Sequence, residues 1–181
     1  MTQDKSQEAA GRPDRPAAIA HWTAVEGPDD ARYGDDDERL SIGAPLGRHF
    51  GLARLGIHHE RLPPGRRTSF PHAESHEEEF VLVLEGTPDA WIDGHLHRLR
   101  PGDAVGFPAG TGLAHTFLND AAGEARLLVV GDRVEGNRVV YPLHPQARAY
   151  MDRFWEDAPA RRLGGHDGRP AKVRAAQEGP A

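Results

Sequence analysis

Residues 70 to 80 read FPHAESHEEEF, placing two histidines and four glutamates in eleven positions beside the hydrophobic run FVLVL. Imidazole nitrogens and carboxylate oxygens are donors that bind a divalent cation at about 2.0 to 2.2 Å. On an extended strand successive side chains alternate faces, so His72, Glu74 and His76 point the same way and can converge on one ion. Glu79 has the opposite parity and joins such a set only where a turn or bulge separates it from His72. The same block also reads as a solvated strand end, because acidic runs commonly face water.

Other histidines are weaker candidates. His95 and His97 have a chelating spacing, but they follow a turn on a segment shared with Leu96 and Leu99, and they read as outward and wet. His58 and His59 have opposite parity, so one enters an interior while the other faces out, and either could transfer a proton. Glu77 and Glu78 read as solvated, since a glutamate run cannot all face one cavity. The 181 residues contain no cysteine, which removes disulfides, thiolate ligands, iron–sulfur clusters and thiol nucleophiles. Any metal must then use His and carboxylate.

The elements that must position these groups are short strands. From FGLARLGIHHERL onward, segments rich in Leu, Ile, Val and Phe alternate with Gly and Pro, a pattern of strands rather than helices. WIDGHLHRL carries the clearest hairpin signal, with Asp93-Gly94 able to supply positive φ angles. ARLLVVGD and NRVVYPL are further strands. Roughly eight short strands predict an all-β fold, closed or sandwiched. Residues 1–40, acidic and poor in branched apolar side chains, read as a flexible N-terminal arm, 41–143 as the β-barrel, and 144–181 as a covering segment and tail. A short C-terminal helical segment is expected over QARAYMDRFWED, with Ala149, Phe154 and Trp155 facing the barrel.

Two stretches resemble the signature motifs of the cupins. The first contains Gly65, His72, Glu74, Glu79 and Gly86; the second, GDAVGFPAGTGLAHTFLN, contains Gly102, Pro108, Gly110, His115 and Asn119. Glu74 stands where the family pattern has a second histidine, Gly65 lies one residue further from His72, and the spacer before His115 is two residues longer. The resemblance implies a jelly-roll β-barrel, the double-stranded β-helix, with a divalent metal ion held inside it by His72, Glu74, Glu79 and His115. Two neutral imidazoles and two carboxylates balance a dication and leave iron, manganese, zinc and nickel open. It also suggests a homodimer, which would cover an open sheet edge.

The net charge is −6 with a pI near 6.0, and no stretch concentrates Lys and Arg as nucleic acid binding requires. There is no membrane-length apolar run, and MTQDKSQEAAGRPDRPAAIA has no apolar h-region, so a cytoplasmic protein is expected. The functional expectation is a metalloenzyme acting on a small molecule, of dioxygenase, isomerase or lyase type, with Glu74 able to serve as general base. The other reading is a cupin that binds or senses a small molecule without chemistry.

Overall fold

Short apolar segments punctuated by glycine and proline fold into eleven antiparallel strands among the described residues. The computed structural model describes residues 15–34, 36–149 and 151–178, with side chains of the last helix described to residue 176. The strands are β1 (Ile42–Ala44), β2 (Leu55–Leu62), β3 (Arg66–Arg67), β4 (Ala73–Glu74), β5 (Glu79–Glu85), β6 (Asp89–Ile92), β7 (His95–Arg98), β8 (Ala104–Phe107), β9 (His115–Asn119), β10 (Ala125–Asp132) and β11 (Val139–Val140). One-turn helix α1 (Leu46–His49) follows β1, and α2 (Ala171–Glu178) lies near the C-terminal end. β3 and β4 are two residues long, too short to leave a period-two signature in the sequence. No helix among the described residues is long and apolar enough to cross a membrane.

One sheet has the order β1-β2-β10-β5-β8, a second β3-β9-β6-β7, and β11 pairs with β4 in a third. Leu62, Val81, Val83, Phe107 and Leu127 of the first sheet meet Ala90 and Phe117 of the second, forming the barrel core. This is the expected all-β jelly roll. Alternation then assigns the remaining faces. With Leu62 inside, Glu60 and His58 share the interior face of β2 and His59 faces out; with Val81 and Val83 inside, so is Glu79. The outward His59 is nonetheless buried, because Trp22 stacks on it with ring centroids 4.1 Å apart.

All five residues of β9 are buried, which requires cover on both faces of the second sheet. On the outer face Trp91 and Leu118 pack with Trp155, Leu143 and Leu163, and Trp91 Nε1 donates to the His166 carbonyl at 2.8 Å. The helical segment expected over 146–157 is a 3-10 turn at Pro145–Ala149, with turns at 152–153 and 156–157 on either side of a bridge at Phe154, and with Ala147 rather than Ala149 buried. Phe154 bridges to Val139 and the Trp155 N–H donates to the Val139 carbonyl, so pairing with β11 outweighs the weak helical pattern.

The β6–β7 hairpin turns at Asp93 (φ 45°) and Gly94 (φ 86°), the positive pair a type I′ turn requires. A Cβ on Gly94 would lie 2.3 Å from the Gly164 nitrogen, so the turn also admits the C-terminal segment. The Asp93 carboxylate accepts from Ala114 N–H at 3.0 Å and Arg161 Nε at 2.6 Å.

On the outer face of the second sheet, where it pairs with Leu118, Arg67 of β3 is fully buried; its Nη2 donates to Glu38 at 2.6 Å and its Nη1 to the Gly168 carbonyl at 2.9 Å. Phe70 lies under the guanidinium and stacks on His144 at 3.9 Å. Burial, with Arg67 and Arg169 nearby, pushes His144 down to about 4. The unfolded imidazole takes up its proton near 6.5 and the folded one near 4, so the unfolded state binds more protons across that window. Stability is full above pH 6.5 and falls as pH drops toward 4, by at most about 3 kcal/mol for this group. Thermal melts from pH 7.5 to 4 should show a fall that His144→Asn reduces; an unchanged fall in that variant would contradict this origin.

Candidate metal centre

His72 and His115 face each other across an isolated antiparallel bridge. The His72 N–H donates to the His115 carbonyl at 3.1 Å, and the His115 N–H to the His72 carbonyl at 2.9 Å. Directly opposed residues in such a bridge project to the same side of the ladder, and the two ring centroids are 4.8 Å apart. Between His72 and β5 the chain bends at Ser75 and His76, resetting the strand parity so that Glu79 enters the same interior face. Ligand atoms of His72, Glu79 and His115 all lie within 4.8 Å of one another.

The backbone fixes the tautomers. His72 Nδ1 lies 2.9 Å from the Phe70 carbonyl, with Ser69 Oγ at 3.2 Å, and His115 Nδ1 lies 3.2 Å from the Leu113 carbonyl. A carbonyl only accepts, so each Nδ1 carries the proton and each Nε2 turns toward the centre. Carbonyl partners of this kind are what orient metal-bound imidazoles. Phe107 stacks on the His115 ring at 3.5 Å and 7°, holding its plane.

Electrostatics points the same way. Burial, then the neighbouring His115, pushes His72 down to about 4, so it is a neutral ligand at pH 7. Burial alone would raise Glu79, but the hydrogen bond and charge of His115 outweigh it and hold the carboxyl below the usual range. His115 Nε2 and Glu79 Oε1 are 3.2 Å apart, a hydrogen bond only when the ring carries a second proton. A cation between a lone pair and a carboxylate removes that requirement. The residues present therefore fit a divalent ion.

Glu74 lies outside the three-residue group but lines the same interior cavity of about 350 Å³. Burial, reinforced by Glu77 and Glu79, pushes its carboxyl up to about 7 against the pull of His115 and a hydrogen bond from Asn137. Asn137, buried, organises this corner, its Oδ1 accepting from the His76 and Glu77 N–H groups at 3.0 and 3.3 Å. No motif in the sequence pointed to Asn137, since its contacts cross sixty residues of chain. A larger groove of about 450 Å³ lies against Phe80 and Val130 and contains no histidine.

The remaining candidates separate. His76 is exposed with its Nδ1 2.6 Å from Ser75 Oγ, and His95 and His97 are exposed on β7. Glu78 is exposed, but Glu77 is half-buried, its Oε1 accepting from Val134 N–H at 2.8 Å. The reading of Glu77 as solvated missed this because its partner lies on the distant 132–138 loop. Asn119 is fully buried and donates to the Leu62 and Gly123 carbonyls at 2.6 and 2.9 Å, fastening strand ends.

Residues 58–131 match the family described as the cupin domain. No curated protein matches the chain. Among solved structures, a sugar phosphate isomerase from Silicibacter pomeroyi is 36% identical with a TM-score of 0.55, covering 56% of this chain and 64% of that one. A provisionally named sugar phosphate isomerase from Acidithiobacillus ferrooxidans is 34% identical with a TM-score of 0.54, covering 56% of this chain and 65% of that one. The match thus spans slightly less than two thirds of either protein. A polyketide cyclase from Streptomyces resistomycificus, 23% identical with a TM-score of 0.56 over 75% of this chain and 94% of that one, shares the fold.

Proposed function

We propose that this chain, whose residues 58–131 form a cupin domain, is a metal-dependent enzyme that moves a proton on a small hydroxylated carbonyl compound, an isomerase-type reaction. The observation that carries the reading is the pair of imidazoles whose Nδ1 atoms face backbone carbonyls and whose Nε2 atoms converge with Glu79. The names of the two isomerases, at 34% and 36% identity, support the reaction type. Fold alone would not select it.

In this reading His72, Glu79 and His115 hold the ion, with Glu74 as a further carboxylate donor or as the base. A divalent cation there supplies Lewis acidity that polarises a carbonyl. Glu74 would take the proton from the hydroxyl-bearing carbon next to that carbonyl and return it to the former carbonyl carbon, while the hydroxyl proton passes to the former carbonyl oxygen, so carbonyl and hydroxyl exchange places and no atoms are gained or lost. The backbone carbonyls on the two Nδ1 atoms and the Phe107 ring stacked on His115 keep the ligand geometry fixed.

The test is solvent exchange. Protein supplemented with manganese or zinc is incubated in D₂O with a panel of aldoses, ketoses and their phosphate esters, and the C–H signal beside the carbonyl is followed by NMR. Deuterium incorporation that disappears in His115→Ala is expected. Absence of exchange in every member while the ion is bound would overturn the isomerase reading.

A further inference from the structure

The cavity wall on β2 carries charge that the metal centre does not use. His58 and Glu60 share the interior face of that strand and line the same cavity as His72, Glu79 and His115. His58 Nδ1 lies 3.5 Å from Glu60 Oε1, and the Glu60 side chain is 15% exposed. Gly43, opposite Glu60 in the β1–β2 register, makes room for it: a Cβ there would lie 2.9 Å from Glu60 Oε1. Gly56 and Gly131 are paired across β2 and β10 and also line the cavity, and a Cβ on Gly56 would lie 3.7 Å from Arg133 Nε.

Charge around that space is one-sided. Glu60, Glu74, Glu77, Glu79 and Asp132 all line it, whereas Arg133 is the one arginine among its lining residues. That guanidinium donates to the Leu52 carbonyl at 3.0 Å, and the residue is exposed. A dication held by Glu79 with the histidines, and Glu74 beside it, still leaves the carboxylates of Glu60, Glu77 and Asp132 on the wall. A phosphate dianion entering this space meets like charges at short range, with no buried lysine or arginine among the described lining residues to offset them. Hydroxyl groups meet acceptors and an imidazole that can donate or accept. A volume of about 350 Å³ is at the small end of ligand sites, which run from about 300 to 1,000 Å³.

We infer that the cavity selects an uncharged, hydroxyl-rich small molecule over its phosphate ester, with His58 and Glu60 holding hydroxyl groups on the wall opposite the metal ligands. This rests on the cavity being the substrate site and narrows its substrate class. His58 and Glu60 are the specificity-determining residues of that wall.

Binding of D-ribose and of D-ribose 5-phosphate to the full chain would be measured by NMR titration, following the His58 ring signals, with and without added zinc. D-Ribose is expected to shift those signals with at least about tenfold tighter binding than the ester, a difference of about 1.4 kcal/mol. Glu60→Gln should weaken D-ribose binding and narrow that ratio at least about threefold, while zinc content stays at the wild-type level. Tighter binding of the ester, or no shift of the His58 signals with either probe, overturns the inference. Zinc stoichiometry measured on the same samples reports separately on the metal reading, so the two can fail independently.

Discussion

Arg67→Met lowers the stability of the fold by about 3–5 kcal/mol, the range for removing one partner of a buried ion pair. The side chains of Arg67 and Glu38 are 1% and 8% exposed, and the loss leaves the Glu38 carboxylate buried without its cation. Arg67 also joins two distant parts of the chain, through Glu38 and the Gly168 carbonyl, and lies over the nearby Phe70 ring. For a chain of this size that change corresponds to a drop of roughly 6–20 °C in Tm. Arg67→Met/Glu38→Leu should recover most of it, because the destabilising element is the unpaired charge rather than the missing attraction. Denaturant melts of both variants check this, and a double variant as unstable as the single one would place the cost in lost packing instead.

Glu74→Gln is expected to slow solvent exchange by about 10²- to 10⁴-fold, the usual contribution of a positioned acid–base group. The amide keeps the shape of the side chain and its place in the cavity with Glu77 and Glu79. If the ion is held by His72, Glu79 and His115 alone, metal content stays unchanged while exchange falls. If Glu74 is also a donor, as the motif resemblance implies, metal affinity falls with it. Exchange at the wild-type rate would remove Glu74 from the chemistry.

The fold was legible where the pattern was long and regular. β5 and β10 are built on the apolar runs FVLVL and LLVV, each seven or eight residues long with its flanks, and Asp93-Gly94 announced its turn through the conformations those residues tolerate. The convergence of His72, Glu79 and His115 was less direct. Parity alone set Glu79 apart from His72, and only the bend at Ser75 and His76 turns it inward. The motif spacing encoded that bend; alternation did not. Asn137, Glu77 and the Glu38–Arg67 pair were invisible because each depends on a partner far away in sequence, joined by loops that carry no periodic signal. The C-terminal cover was legible in its aromatic residue, Trp155, but not in its conformation, since pairing with β11 outweighed a weak helical spacing.

The central claim is that His72 and His115, aimed by backbone carbonyls, hold a divalent ion with Glu79. The direct measurement is elemental analysis of protein purified without an affinity metal and then incubated with manganese, iron(II), zinc or nickel, beside a His72→Ala/His115→Ala variant confirmed folded by circular dichroism. The account predicts close to one ion per chain in the wild type and none retained in the variant. No ion in the wild type after incubation with all four metals, or equal retention in the variant, would contradict it.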